Sequence, residues 1–147
     1  MAKTKLVRPQ CLALILCDAV IEDSRTRNKS LINMFSGILS PNVPVRHDKM
    51  CVFAVFNGGR NRVPITLRLC RDDAYETDLL SMGGEVFFPP DRPRTVVDMV
   101  FEVRGFVFPK FGDYIFELIC DEVPLMARRF SVNQAAPNPP AEPPPED

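Results

Sequence analysis

One histidine and five cysteines are the side chains in this sequence with the greatest capacity for nucleophilic or metal chemistry. A nucleophilic serine or cysteine needs a histidine or another base at hydrogen-bond distance. The single histidine, His47, follows two prolines, and we predict that it lies in a surface loop, away from any nucleophile. The sequence therefore predicts no catalytic residues, and we expect the protein not to be an enzyme.

The five cysteines show neither the spacing of a metal site nor that of a disulfide framework. They are Cys11, Cys17, Cys51, Cys70 and Cys120, with no two closer than six positions. Zinc sites usually pair cysteines that are about two to four residues apart, and disulfide frameworks use even numbers. Each cysteine lies in or beside an apolar run, where a free thiol behaves as a small hydrophobe. We predict reduced, buried thiols in a cytoplasmic protein, with no metal and no cofactor.

Acidic residues gather in three segments that read as turns. These are Asp72-Asp73, Asp91 and Asp121-Glu122. Calcium-dependent sandwiches collect such acids at one rim, but the alternating ligand spacing of a dedicated calcium loop is missing here. Turns favour aspartate for reasons of backbone hydrogen bonding. We predict solvated turn acids and no metal site.

Basic residues also fall in predicted loops. They are Arg25, Arg27 and Lys29, then Arg60 and Arg62, and then Arg92 and Arg94. If the first two groups met at one end of the fold, they would form a basic rim for a small anionic ligand. These loops contain no aromatic residue that could stack on a base, and the 18 basic residues are balanced by 19 acidic ones. We predict no nucleic-acid partner.

The apolar run near the N-terminus is too short to be a membrane span. It extends from Leu12 to Cys17 and is cut off by Asp18. A signal peptide needs an apolar region of about 7–15 residues, and a spanning helix needs about 20. We predict a buried strand here, no association with a membrane, and a location in the cytoplasm.

Period-two alternation predicts the elements that would position these side chains. The clearest case is Val63 to Cys70, where Val63, Ile65, Leu67 and Leu69 share one face. The predicted strands cover about 11–21, 31–38, 49–56, 63–70, 79–88 (interrupted at Gly83-Gly84), 95–107, 114–118 and 125–132. About eight strands at this spacing predict an all-β fold, an antiparallel β-sandwich.

The last two predicted strands indicate how the sandwich closes. Gly112 precedes Tyr114 by two residues, and Tyr114, Phe116 and Leu118 share one face. Asp121-Glu122 then separates this strand from the final one. A tyrosine that opens a strand after such a corner is typical of immunoglobulin-like sandwiches. We therefore predict an immunoglobulin-like closing hairpin.

Composition divides the chain into three parts. Residues 1–10 form a polar segment that we predict to be a flexible N-terminal arm. Residues 11–133 form the β-sandwich domain. Residues 134–147 are rich in proline and acidic residues and contain no large apolar side chain, so we predict a disordered, solubilising tail.

The second predicted strand, 31–38, is apolar at both odd and even positions. This pattern arises when a strand is buried on both faces, or when a partner or a second subunit covers it. We name Leu31, Ile32, Met34 and Phe35 as a candidate interaction edge. The sequence predicts a non-enzymatic protein-interaction or assembly module, with a protein partner or self-association. The alternative is binding of a small ligand or ion through the loop rim.

Several short motifs resemble an uncharacterised family of short bacterial β-sandwich proteins. They are Ile15-Leu16-Cys17-Asp18, Lys29-Ser30-Leu31-Ile32, Phe35-Ser36-Gly37-Ile38 and the closing pattern from Gly112 to Val132. The resemblance covers about residues 11–132. It implies a bacterial, cytoplasmic, single-domain protein, and it implies no active-site residues.

Overall fold

Nine β-strands make up the part of the chain that this computed structural model describes, which comprises residues 6–92, 94–136 and 144–145. The strands are β1 (Gln10–Glu22), β2 (Lys29–Met34), β3 (Gly37–Ser40), β4 (Val45–Asn57), β5 (Asn61–Arg71), β6 (Leu80–Phe88), β7 (Val97–Phe108), β8 (Gly112–Cys120) and β9 (Val123–Gln134). Over these residues there is no helix that is long and apolar enough to cross a membrane.

The strands form two sheets that pack face to face. One sheet has four strands in the order β2-β1-β4-β7, and the other has five in the order β3-β9-β8-β5-β6. All pairings are antiparallel except β3 with β9. The chain passes between the sheets after β2, β3, β4, β6 and β7, as in the Greek-key sandwiches of the immunoglobulin class. The predicted all-β sandwich is confirmed.

The core lies between the sheets and follows the alternation seen in the sequence. Val63, Ile65, Leu67 and Leu69 of β5 are buried as predicted, and Phe101 and Val103 of β7 are buried in the opposite sheet. Four aromatic rings form the centre of one half of the core. They are Phe108, Tyr114, Phe116 and Phe130, with ring centroids 5.1–5.8 Å apart.

The closing hairpin is held by a tyrosine corner. The buried Tyr114 hydroxyl donates a hydrogen bond to the carbonyl oxygen of Lys110 at 2.7 Å and accepts one from its amide at 3.3 Å. Asp121 and Glu122 have φ of 51° and 64°, which gives the two-residue turn that matches the twist of antiparallel strands. The predicted immunoglobulin-like closure is therefore present in the structure.

The predicted second strand is in fact two strands in different sheets, which raises the count from eight to nine. β2 belongs to the four-stranded sheet, and β3 begins at Gly37 and pairs with β9. Glycine at position 37 allows the start of β3 to lie close to Ser131 of β9, because a Cβ there would be only 3.1 Å from the Ser131 Oγ. Of the two explanations offered for the apolar pattern of this segment, burial on both faces is wrong, since most of β2 is exposed.

Two further sequence predictions were wrong. β6 is continuous through Gly83-Gly84, since Gly84 sits in the ladder and a Cβ there would lie 2.5 Å from the Met99 side chain. β4 begins at Val45, so His47 lies in a strand, with its ring centroid 5.9 Å from that of Phe35. The first residues of β4 are mostly polar and show no apolar alternation, so the local sequence suggested a loop.

The segments next to the first and last strands contact the sandwich. Leu6 packs against the core, Pro9 is buried, and Arg8 forms an ion pair with Asp121 at 3.1 Å. β9 continues to Gln134, and the amide of Ala135 donates to the carbonyl oxygen of Ser40 at 2.9 Å. Gln10 and Gln134, which the predicted N-terminal arm and tail contained, are therefore strand residues, and the flexibility of the arm and the tail stays a prediction. Residues 1–5 of the arm, and 137–143 and 146–147 of the tail, lie outside the described residues.

Candidate interaction surface

The hairpin formed by β1 and β2 extends beyond the sheet to which it belongs. β1 pairs with β4 only as far as Cys17, whereas Ala19 to Glu22 pair only with β2. We call residues 18–34 the arm, which is distinct from the predicted N-terminal arm, residues 1–10. It is a two-stranded ribbon, and such a ribbon is marginally stable in water unless it packs against another element.

Two contacts show where the arm lies. Lys29 of β2 forms an ion pair with Asp98 of β7, although β1 and β4 separate these strands in the sheet. The Cys51 thiol donates to the carbonyl oxygen of Asp18, with 3.9 Å between the two atoms. The core occupies one face of the sheet, so a segment reaching from β1 to β7 has to cross the other face. The arm therefore folds over the outer face of the four-stranded sheet.

The sequence supplies both the turn and the bend of the arm. At the tip, the Asp23 carboxylate accepts hydrogen bonds from the amides of Arg25 at 2.8 Å and Thr26 at 3.0 Å. These amides, with Thr26 the stronger influence, lower the pKa of Asp23. At the base, Asn33 has φ of 52° and its side-chain amide donates to the Asp18 carboxylate at 3.0 Å. Asparagine tolerates this left-handed conformation better than most residues.

The arm covers side chains that would otherwise form an apolar outer face. Cys17 and Cys51 face each other across β1 and β4, and both are buried although they point away from the core. Ile15 and Phe53 form the next pair on the same face and are partly buried. An apolar sheet face normally requires such a cover.

The outward side of the arm is itself apolar. Ile21, Ile32 and Met34 are 56%, 37% and 66% exposed. Of the predicted interaction edge, the structure places Ile32 and Met34 in solvent. Leu31 is half-buried, and Phe35 packs against the core. Sequence reading missed Ile21, whose only signal was an apolar residue at the end of a long strand.

The predicted basic rim draws on two parts of the structure. Arg25 and Arg27 lie in the connection between β1 and β2 and Lys29 at the start of β2, whereas Arg62 lies near the start of β5 in the other sheet. Arg60 lies in the connection between β4 and β5. Lys29 pairs with Asp98, Arg27 with Glu22 at 3.7 Å, and Arg62 with Glu85 at 3.0 Å. These pairs occupy charges within the chain, and a rim shared by the two groups stays a prediction.

The predicted turn acids lie beside arginines. Asp72 pairs with Arg129 at 2.9 Å, and Asp73 pairs with Arg71 at 2.8 Å. Within the described ranges, no three histidine, cysteine, aspartate or glutamate side chains are grouped so that they could hold a metal ion.

A cluster of polar side chains around Arg68 lies on the outer face of the five-stranded sheet. Arg68 bonds through Nε to Asp78 at 2.7 Å, through Nη1 to Glu117 at 3.3 Å, and through Nη2 to the carbonyl oxygen of Tyr75. The Tyr75 hydroxyl donates to the other Glu117 oxygen, and this bond raises the pKa of Tyr75. Each charged group is thus bonded within the cluster, so we assign the cluster to holding the β5–β6 loop against the sheet.

Burial raises the pKa of all five thiols, Cys11, Cys17, Cys51, Cys70 and Cys120. A thiol whose pKa is higher in the folded state stabilises the fold fully at pH values below the unfolded pKa, about 8.5. That contribution is lost as the pH rises toward the folded pKa, because the unfolded chain ionises first. We expect the free energy of unfolding, measured with urea, to fall between about pH 8 and 10.

The matched control is the Cys17→Ala/Cys51→Ala variant, which should show a shallower decline over the same pH range. If the decline is equally steep in both proteins, these two thiols do not cause it.

Comparison with known proteins gives a family and a structural relative. A family described as being of unknown function, DUF6941, matches residues 12–133, from β1 to β9. No curated protein matches the sequence. The crystal structure of an immunoglobulin-like protein from Pseudomonas aeruginosa is similar at a TM-score of 0.40 and 12% identity, over 86% of this chain and 97% of that chain. The predicted resemblance to an uncharacterised family is confirmed.

Proposed function

The chain belongs to DUF6941, a family of unknown function, and we propose that it acts as a non-enzymatic protein-interaction module that binds through the arm. The observation that carries this proposal is the exposure of Ile32 and Met34 on β2, an edge strand of the four-stranded sheet. Apolar side chains at a sheet edge are a binding feature when backbone groups beside them are also unpaired.

The form of the edge favours an extended protein segment as the partner. A strand added to β2 would satisfy backbone donors and acceptors along the edge. Alternate side chains of that strand would pack beside Ile32 and Met34, which lie on the same face. Lys29, the positive charge at the start of β2, is already paired with Asp98, so charge does not favour a nucleic acid here.

We also propose that the protein works in the cytoplasm, and two features support this location and the absence of enzymatic activity. The five thiols are buried with raised pKa values, which makes them poor nucleophiles, and they are free, as expected in a reducing compartment. The most buried charged cluster, around Arg68, is bonded internally.

The test compares retention of partner proteins by three purified forms of the chain. Met34→Lys places a charge on the proposed surface, and Phe87→Lys makes the same kind of change on β6, at a side chain that is 53% exposed. We expect a protein from cells of the source organism to bind the wild type and Phe87→Lys, with affinity for Met34→Lys lower by tenfold or more. The dissociation constants are then measured with the purified partner.

Equal binding by Met34→Lys and wild type would contradict the proposal. The alternative, a small ligand or ion at a loop rim, predicts a different result. Calcium, a nucleotide or a sugar would raise the melting temperature of all three forms equally.

A further inference from the structure

We infer that the partner of the arm is a second copy of this chain. In this arrangement the arm of each subunit opens at its base and lies across the outer face of the four-stranded sheet of the other subunit. The product is a two-fold symmetric dimer with exchanged arms. This inference rests on the proposed function and identifies the protein partner within it.

The first argument is that the outer face already fits an arm. The Lys29–Asp98 ion pair joins two side chains 69 positions apart, and either side chain can come from another copy without change in geometry. An exchanged dimer reproduces the contacts of the closed monomer. Exchange of an identical element is therefore a low-cost route to association.

The second argument is that the base of the arm has the features of a hinge. Asn33 has a left-handed backbone conformation, and its side-chain amide donates to the Asp18 carboxylate of the opposite strand. Beyond Cys17, β1 has left β4, so residues 45–50 of β4 pair with β7 alone. An arm that straightens at Asp18 would therefore leave the sheet without breaking any β1–β4 pairing.

The third argument is the apolar surface next to this hinge. Met34 pairs with Cys17, which is the last residue of β1 that pairs with β4. The Met34 side chain is 66% exposed. In an exchanged dimer the two hinges cross beside the symmetry axis, so Met34 and Ile32 of one copy approach those of the other. The monomer leaves this surface in water, and burial of it would favour the dimer. A net charge of −1 per chain gives little repulsion between the copies.

Charge reversal tests whether the ion pair forms between chains. Lys29→Asp and Asp98→Lys each place like charges at this contact in the closed monomer and in the exchanged homodimer alike, so we expect the dimer dissociation constant of each variant to stay within about threefold of the wild-type value. An equimolar mixture restores both ion pairs, because each variant supplies the charge that the other lacks. We expect light scattering to show that the mixture dimerises about tenfold more tightly than either variant alone, because the closed monomers keep the like charges and the exchanged heterodimer does not.

A short bismaleimide cross-linker locates the contact. Lys29→Cys and Asp98→Cys chains carrying different tags should give a covalent heterodimer when mixed, and the wild type with its five buried thiols is the control. The double variant Lys29→Cys/Asp98→Cys separates the two arrangements. If it cross-links only within the monomer at every concentration, and the mixture yields no heterodimer, the arm closes on its own chain and the inference is overturned.

The outcomes also distinguish this inference from the proposed function. If the charge-reversed mixture does not dimerise but Met34→Lys abolishes binding of another protein, arm exchange is wrong and the interaction module stands. If Met34→Lys affects neither dimerisation nor partner binding, both proposals are wrong.

Discussion

Replacing Phe130 with alanine is expected to lower the free energy of unfolding by about 3–5 kcal/mol. The Phe130 ring is buried at the centre of the aromatic group, stacked at 5.2 Å on Phe116 and 5.7 Å on Tyr114, and edge-on at 5.8 Å to Phe108. Truncation removes a large buried apolar area and leaves a cavity between two sheets that cannot collapse freely. It also removes the favourable aromatic pairs.

Phe87→Ala is the matched control, because it makes the same chemical change on β6 at a side chain that is 53% exposed. It loses only a cation–π contact with Arg62, at 5.9 Å, and should cost less than about 1 kcal/mol. Urea denaturation measures both changes. A cost for Phe130→Ala no greater than that of Phe87→Ala would show that the aromatic group does not form the centre of the core.

Much of the fold could be predicted because it depends on local pattern. The alternation of Val63, Ile65, Leu67 and Leu69 gives both the strand and its buried face. The corner at Tyr114 follows from residues close together in the chain, since its hydroxyl bonds to a residue four positions earlier. Interactions of this range leave a signature in a single sequence.

The candidate surface could be predicted only in part, because contacts between distant residues determine it. Ile32 and Met34 were identified from composition alone. The direction of the arm depends on Lys29 meeting Asp98, and no periodicity in either segment specifies that pair. Arg25 and Arg27 lie in a loop, as predicted, but their local sequence could not show that this loop is the tip of a ribbon lying on a sheet.

The outer face of β5 shows the same limit of local pattern. The alternation places Arg68 on the face opposite the core, yet Arg68 is buried. The loop from Asp72 to Leu79 folds back over it and supplies Tyr75 and Asp78 as hydrogen-bond partners. A polar face on a strand predicts exposure only when no loop covers it.

The burial of Arg68 gives the second large expected effect. Arg68→Ala should lower the free energy of unfolding by about 3–5 kcal/mol, because it leaves the Glu117 carboxylate buried without its charge partner. Burial alone would lower the pKa of Arg68, but hydrogen bonds to Asp78 and Glu117 outweigh it and raise that pKa, so the guanidinium stays charged. The loop that carries Tyr75 also loses the bond that anchors it.

Arg62→Ala is the control for this prediction, since Arg62 also lies on the outer face of β5 and pairs with Glu85 at 3.0 Å. Its side chain is 76% exposed, so its removal should cost at most about 1 kcal/mol. The double variant Arg68→Met/Glu117→Leu should cost less than Arg68→Ala, because it removes both buried charges together. If the double variant is the least stable of the three, the ion pair itself stabilises the sheet, and the isolated carboxylate is not the main cause.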